Sequence, residues 1–162
     1  MFKKLFGNKE KSVVLVAPVN GRVVPLEDVP DPVFAEKMMG QGIAVEPIGG
    51  TVVSPAEGEI VQLFPTKHAV GLKTKTGAEI LIHIGLETVS MDGEGFEAFV
   101  KQGDKVKAGD RLIKFDKSLV EEKAKSIVTP IIVTNSDEFD IELTSNHQAS
   151  AGETELLTVN NK

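Results

Sequence analysis

Phe64-Pro65-Thr66-Lys67-His68-Ala69-Val70-Gly71-Leu72 and Glu79-Ile80-Leu81-Ile82-His83-Ile84-Gly85-Leu86-Glu87 read as two arms of an antiparallel hairpin, with Thr74-Lys75-Thr76-Gly77 as its turn. Both arms are rich in apolar and β-branched residues, and a turn cluster ending in Gly separates them. On the second arm Ile80, Ile82, Ile84 and Leu86 alternate inward, which leaves Leu81, His83, Gly85 and Glu87 on the outward face. Two registers compete. A two-residue tip sets His68 directly opposite His83. A three-residue loop with Gly77 left-handed pairs Val70 with Ile82 and Leu72 with Ile80, the better apolar match, but sends the two histidines to opposite faces. A β-bulge near Ala69 would reconcile the two, and the expectation is that both imidazoles share one face beside such a bulge.

The rest of the chain repeats this texture. Further strand-length apolar runs occupy 13–16, 22–26, 43–47, 58–64, 111–115, 127–134 and 155–159, punctuated by Pro, Gly, Asn and Asp. Helical stretches are brief: 34–39, stopped by Gly40; 96–101, stopped at Gln102-Gly103; and 118–125, where Ser118 and Glu121 stand at capping-box spacing. The pattern predicts an all-β antiparallel sandwich or flattened barrel with a few one- to two-turn helices. Ala17-Pro18-Val19-Asn20-Gly21-Arg22-Val23-Val24-Pro25-Leu26 is echoed by Ser54-Pro55-Ala56-Glu57-Gly58-Glu59-Ile60-Val61-Gln62-Leu63. The echo points to an internal pseudo-duplication whose halves face each other, although two turns of like shape would also read alike.

Composition narrows the function. The 162 residues are 41% hydrophobic and 26% charged, which suits a folded domain with a real core rather than a disordered tail. No apolar run approaches the length of a membrane-spanning helix. Cys is absent, which removes disulfides, thiolate metal sites and thiol nucleophiles together. A net charge of −6 does not suit a phosphate-backbone binder, so no nucleic-acid partner is expected. Residues 1–11 differ, with Lys3, Lys4, Lys9 and Lys11 against Glu10 alone and Phe2, Leu5 and Phe6 at helical spacing. They read either as a frayed terminus or as an amphipathic segment making peripheral contact with anionic lipid. Residues 12–162 then form one domain, and a start at Met1 with its own basic segment suggests a free-standing chain.

Of three histidines, His147 sits in a polar loop, so the chemistry falls to His68 and His83. With no HxH, HExxH or Cys, a metal hydrolase would have to recruit Glu87 or another carboxylate as third ligand. A histidine pair without metal or cofactor can instead handle a phosphoryl group. One neutral imidazole attacks phosphorus while the other, able to carry the extra proton, holds the anionic oxygens. Thr66, two residues from His68, would orient that ring. Gly85, two from His83, would leave room above the nucleophile and offer a carbonyl to fix its tautomer.

Two phrases resemble known families. Gly103-Asp104-Lys105-Val106-Lys107-Ala108-Gly109-Asp110-Arg111-Leu112 resembles the turn phrase of biotinyl and lipoyl carrier domains, but their modified-lysine triplets, Met-Lys-Met and Asp-Lys-Ala, are missing. The phrase therefore reads as shared turn geometry. From about residue 13 to 159 the chain resembles the glucose-type enzyme IIA of the bacterial phosphoenolpyruvate-dependent sugar phosphotransferase system. Ala17-Pro18, Glu27-Asp28-Val29-Pro30-Asp31, Val33-Phe34-Ala35-Glu36-Lys37, His68-Ala69, His83-Ile84-Gly85-Leu86-Glu87-Thr88-Val89, Gly93-Glu94-Gly95-Phe96 and Glu121-Glu122-Lys123-Ala124-Lys125-Ser126 carry the likeness.

The resemblance implies a cytoplasmic carrier phosphorylated on His83 by the histidine phosphocarrier protein. It would pass the group to a cysteine on a sugar-specific enzyme IIB. His68, supported by Thr66, would bind the phosphoryl oxygens. An apolar collar of Phe34, Met38, Phe64 and Leu81, with Asp31 and Glu87 at its rim, would meet the partners. From helical spacing alone, Phe34 and Met38 read equally as the buried face of one helical turn. Two alternatives stay open: a zinc-binding, hydrolase-like module using His68 and His83, and a regulatory protein whose phosphorylation state selects its targets.

Overall fold

Gly77 adopts φ +93°, the Gly77 amide bonds the Thr74 carbonyl at 3.0 Å, and the Thr74 amide bonds the Ala78 carbonyl at 2.9 Å. The hairpin therefore closes with the three-residue loop, and its ladder pairs Val70 with Ile82, Leu72 with Ile80, and Ala69 with His83. In the computed structural model, which describes residues 11–162, fourteen strands and two short helices follow in order. They are β1 (Ser12–Val16), β2 (Gly21–Pro25), α1 (Pro32–Ala35), β3 (Gln41–Pro47), β4 (Thr51–Val53), β5 (Gly58–Leu63), β6 (Ala69–Thr74) and β7 (Glu79–His83). Then come β8 (Phe96–Ala98), β9 (Lys105–Val106), β10 (Arg111–Phe115), α2 (Lys117–Lys123), β11 (Thr129–Val133), β12 (Phe139–Leu143), β13 (Gln148–Ala149) and β14 (Glu155–Asn161). The main sheet has the order β13-β2-β3-β11-β7-β6-β5-β9, flanked by the three-stranded sheets β1-β14-β12 and β4-β10-β8. All pairings are antiparallel, so the fold is the expected all-β class.

The two halves of the sequence echo face each other. The Val16 amide donates to the Pro55 carbonyl at 2.9 Å, and the Val53 amide to the Pro18 carbonyl at 2.7 Å. The reciprocity extends further than the sequence suggested. β9 pairs with β5 as β13 pairs with β2, and the Ile60 and Val23 amides donate to the carbonyls of Asp104 and His147 respectively. Residues 103–110 thus have a structural counterpart at 146–153. His147 contributes only its backbone carbonyl there, in keeping with its loop position.

Several local expectations fail for identifiable reasons. Residues 96–101 are not a helix: Phe96–Ala98 pairs with β10 as an extended strand. α2 is capped not by Ser118 but by Asp116, whose carboxylate accepts the Leu119 amide at 3.1 Å. α1 stops at Ala35 because Lys37 takes the left-handed conformation, φ 61°. Its amide bonds the Phe34 carbonyl at 3.0 Å, and the Met38 amide bonds Val33 at 3.1 Å, the pattern of a Schellman stop. β7 ends at His83 rather than Leu86 because Gly85, at φ +73°, turns the chain out of the ladder.

Burial on both faces of the main sheet places the site. One face carries the large core, with Ile43, Val45, Val70, Leu72, Ile80, Ile82, Ile84, Ile131 and Val133. The opposite face is not open to water, as alternation alone implied. Val24, Ala44, Ala69, Leu81 and Ile132 form a second apolar cluster there, covered by Leu26, Val29 and Phe34 from the segment between β2 and β3. Leu86 joins this second cluster rather than the inner core. Each large aliphatic side chain buried in this way contributes roughly 1.5–3 kcal/mol.

Candidate functional site

His83 is the last residue of β7, on the face of the second cluster, beside Ala69 across the ladder. His68 reaches it without a bulge near Ala69. The β6–β7 ladder is regular, and the register shift on this side of the sheet lies in the neighbouring β5–β6 pair, at Ile60 to Gln62. The chain turns before β6 instead: Lys67 is left-handed at φ 61° and its amide bonds the Phe64 carbonyl at 2.7 Å. The His68 carbonyl still accepts the Ile84 amide at 2.7 Å. The two imidazoles meet edge to face, with centroids 5.0 Å apart.

Each ring is oriented by one polar partner and one aromatic neighbour. His83 Nδ1 lies 2.8 Å from the Gly85 carbonyl oxygen. That oxygen only accepts, so Nδ1 carries the hydrogen and Nε2 is left with its lone pair. His68 Nδ1 lies 2.6 Å from the Thr66 hydroxyl. If the hydroxyl donates, the His68 proton resides on Nε2, and the pair presents one lone pair and one N–H donor. Phe34 packs on His83 at 5.2 Å and Phe64 on His68 at 5.5 Å, centroid to centroid.

Burial sets the charge state. His68 is 3% exposed, and its pKa is pushed down to about 4, first by desolvation and then by the neighbouring His83. In the unphosphorylated chain His68 is therefore neutral, where the sequence reading allowed it an extra proton. His83 also falls below its ordinary value through burial, while the Gly85 carbonyl and the Asp31 carboxylate draw it partly back. Asp31 does a second job at the start of α1, where it caps the helix by accepting the Val33 amide at 3.0 Å.

Residues 13–139 match the family described as phosphoenolpyruvate-dependent sugar phosphotransferase system, EIIA 1. The chain is similar to a glucose-specific EIIA component of Bacillus cereus, at 58% identity over the full length of both. It is also similar to one from Halalkalibacterium halodurans, at 57% identity over 98% of each chain. Among solved structures it superposes on the glucose permease IIA of Mycoplasma capricolum with a TM-score of 0.87 and 41% identity, covering 96% and 99% of the two chains. The chain belongs to the sugar phosphotransferase EIIA family.

In this EIIA chain the structure gathers most of the residues singled out from sequence. Phe34, Leu81 and Phe64 belong to the second cluster, and Thr66, His68, His83 and the Gly85 carbonyl meet directly. Met38 and Glu87 stand apart. Both are exposed, Met38 by 70%, and among the described residues neither makes a hydrogen bond, ion pair or ring contact with an imidazole. Met38 is not on a buried helical face, because α1 ends before it. Gly85 does not leave room above the nucleophile: a Cβ there would meet Thr88 Cγ2 at 2.8 Å and the Ser126 carbonyl at 2.9 Å. Among the described residues no group of three or more His, Cys, Asp or Glu could hold a metal ion, so the zinc alternative finds two imidazoles without a third ligand. The basic amphipathic character of residues 1–11 falls almost wholly outside the described residues.

Proposed function

We propose that this EIIA chain relays a phosphoryl group through His83. The carrying observation is the Gly85 carbonyl on Nδ1, which presents Nε2 as an unprotonated nucleophile beside the second apolar cluster. In the first step the Nε2 lone pair forms a bond to phosphorus, and the P–N bond of the donor, a phosphohistidine on the histidine phosphocarrier protein, breaks with its pair returning to the donor ring. In the second step a cysteine thiolate of an enzyme IIB attacks phosphorus, and the P–N bond breaks with its electron pair returning to Nε2. As Nε2 bonds phosphorus its ring gains positive charge, which the Gly85 carbonyl and the Asp31 carboxylate stabilise. Neutral His68 donates from Nε2 to the phosphoryl oxygens, with Thr66 holding its ring.

Phe34, Phe64 and Leu81 form the collar that excludes water when a partner docks, and Met38, exposed and apart from them, adds to the contact from outside. Asp31 and Glu87 favour a basic partner surface. Glucose is the sugar this reading favours, since the relatives reported above are glucose-specific components. A cytoplasmic site of action fits the relay, and no helix of the described residues is long and apolar enough to cross a membrane. Phosphorylation adds about −1.5 to −2 charge beside Asp31 and Glu87, so the same surface can select regulatory targets by its state.

The test is incubation with labelled phosphoenolpyruvate, enzyme I and the histidine phosphocarrier protein. Acid-labile, base-stable label on this chain, discharged by an enzyme IIB, is expected. A chain that takes no label under these conditions contradicts the relay.

A further inference from the structure

After His83 the chain makes a tight excursion that no functional residue named so far explains. Gly85 at φ +73° and Glu87 at φ 60° are both left-handed. Thr88, fully buried, donates its hydroxyl to the Ile84 carbonyl at 2.7 Å and closes the loop 84–88 from within. Leu86 and Ser126 form an isolated bridge beyond the end of α2, with the Leu86 amide on the Ser126 carbonyl at 2.9 Å and the Lys125 amide on the Leu86 carbonyl at 3.1 Å.

The Gly85 carbonyl and the Leu86 amide belong to one planar peptide unit and point in opposite directions. One end of that unit holds His83 Nδ1 and the other is anchored on Ser126. The preceding peptide is anchored by Thr88 through the Ile84 carbonyl, while the Ile84 amide is tied to the His68 carbonyl. The Thr88 methyl also fills the space beside Gly85 where a Cβ would stand.

We propose that Thr88 is a positioning residue for His83. Its hydroxyl, through the Ile84 carbonyl, holds the Gly85 carbonyl on Nδ1 and so sets which ring nitrogen is free to react. A histidine side chain in water favours the proton on Nε2, the wrong nitrogen for an Nε2 nucleophile, so the carbonyl must be held in place to reverse that preference. The inference rests on the reading of His83 as the phosphoryl acceptor.

Imidazole nitrogen NMR of the full-length protein tests it without phosphorylation, alongside initial rates of phosphoryl acceptance. Thr88→Val removes the hydroxyl at nearly constant shape, and Thr88→Ser keeps it while losing the methyl. In Thr88→Val the Nδ1–H form of His83 should lose population and acceptance should slow by about tenfold or more, as misplacement of a reacting group does, with label still on His83. Thr88→Ser should rescue both. A Thr88→Val protein that keeps the wild-type tautomer overturns the proposal, as does a Thr88→Ser protein as slow as Thr88→Val. Should Thr88→Val not fold, Thr88→Ser against Thr88→Ala decides on the same two readouts. Absence of label from wild-type His83 would instead contradict the relay reading and leave the tautomer measurement to judge Thr88.

Discussion

His68 and His83 bring their rings within 5.0 Å of each other although the ladder between their strands pairs His83 with Ala69, not with His68. A regular β6 extended one residue backward would have turned His68 toward the inner core. The left-handed turn at Lys67 ends the strand first, so His68 keeps one backbone bond to Ile84 and gives its ring to the other face. The pair is thus made by a strand end meeting a turn.

The two histidines should separate cleanly by mutation. His83→Gln should abolish phosphoryl acceptance. His68→Gln should still accept on His83 but pass the group on slowly, by about 10² or more, as removal of a donor to a developing anion does. Labelling followed by chase with an enzyme IIB distinguishes them.

The neutral state of His68 makes stability pH-dependent. The unfolded ring takes up a proton near the ordinary 6.5, the folded one only near 4. Between those values the unfolded chain binds more protons, so this contribution is complete above pH 6.5 and is lost as pH falls toward 4. The Tm of the wild type should therefore drop more between pH 6.5 and 4 than that of His68→Gln. Asp31→Asn keeps a capping side chain but removes a charge that raises the His83 pKa, so His83 should titrate lower still, as read by NMR.

Phe34 and Met38 should behave oppositely. Phe34 is 5% exposed and packs on His83, so Phe34→Ala should cost about 3–5 kcal/mol in denaturant unfolding and slow transfer as well. Met38→Ala should leave stability within about 0.5 kcal/mol. It should weaken association with a partner protein, measured by titration calorimetry.

Gly85→Ala combines a left-handed backbone with a Cβ pressed against Thr88 and the Ser126 carbonyl. A loss of about 2–4 kcal/mol is expected on unfolding, with slower phosphoryl acceptance.

Lys37→Gly should go the other way. Lys37 holds φ 61° at the Schellman stop of α1, where Gly is unstrained, and its ion pair with Glu27 at 3.2 Å is exposed. A gain of up to about 1 kcal/mol in unfolding free energy is expected, because relief of the left-handed Cβ contact outweighs the added freedom of the unfolded chain.

What could be read from the sequence follows the same physics. The hairpin register was legible only as one of two: Gly77 as a left-handed loop residue lines up the apolar pairs, while a shorter tip sets the two histidines opposite each other. The turns at Lys67 and Lys37 were not, because neither position carries the Gly that normally announces φ > 0. That is why a bulge near Ala69 and a helix running to residue 39 were expected. The counterpart of 103–110 at 146–153 leaves little trace in the sequence, because backbone amides and carbonyls make it and these impose little on side-chain identity. Leu81 and Leu86 showed strand alternation, but only the packing of Leu26, Val29 and Phe34 reveals that the face opposite the core is itself apolar and covered. Thr88 carried no signal as a residue near the chemistry, since it stands five positions from His83 and its hydroxyl acts only on the backbone carbonyl of Ile84.

The most direct measurement is phosphorus and nitrogen NMR of the chain phosphorylated from phosphoenolpyruvate, with the histidine rings isotopically labelled. Phosphorus bonded to Nε2 of His83, with the hydrogen retained on Nδ1 against the Gly85 carbonyl, is the predicted result. Phosphorus on His68, or on Nδ1 of His83, would contradict the account.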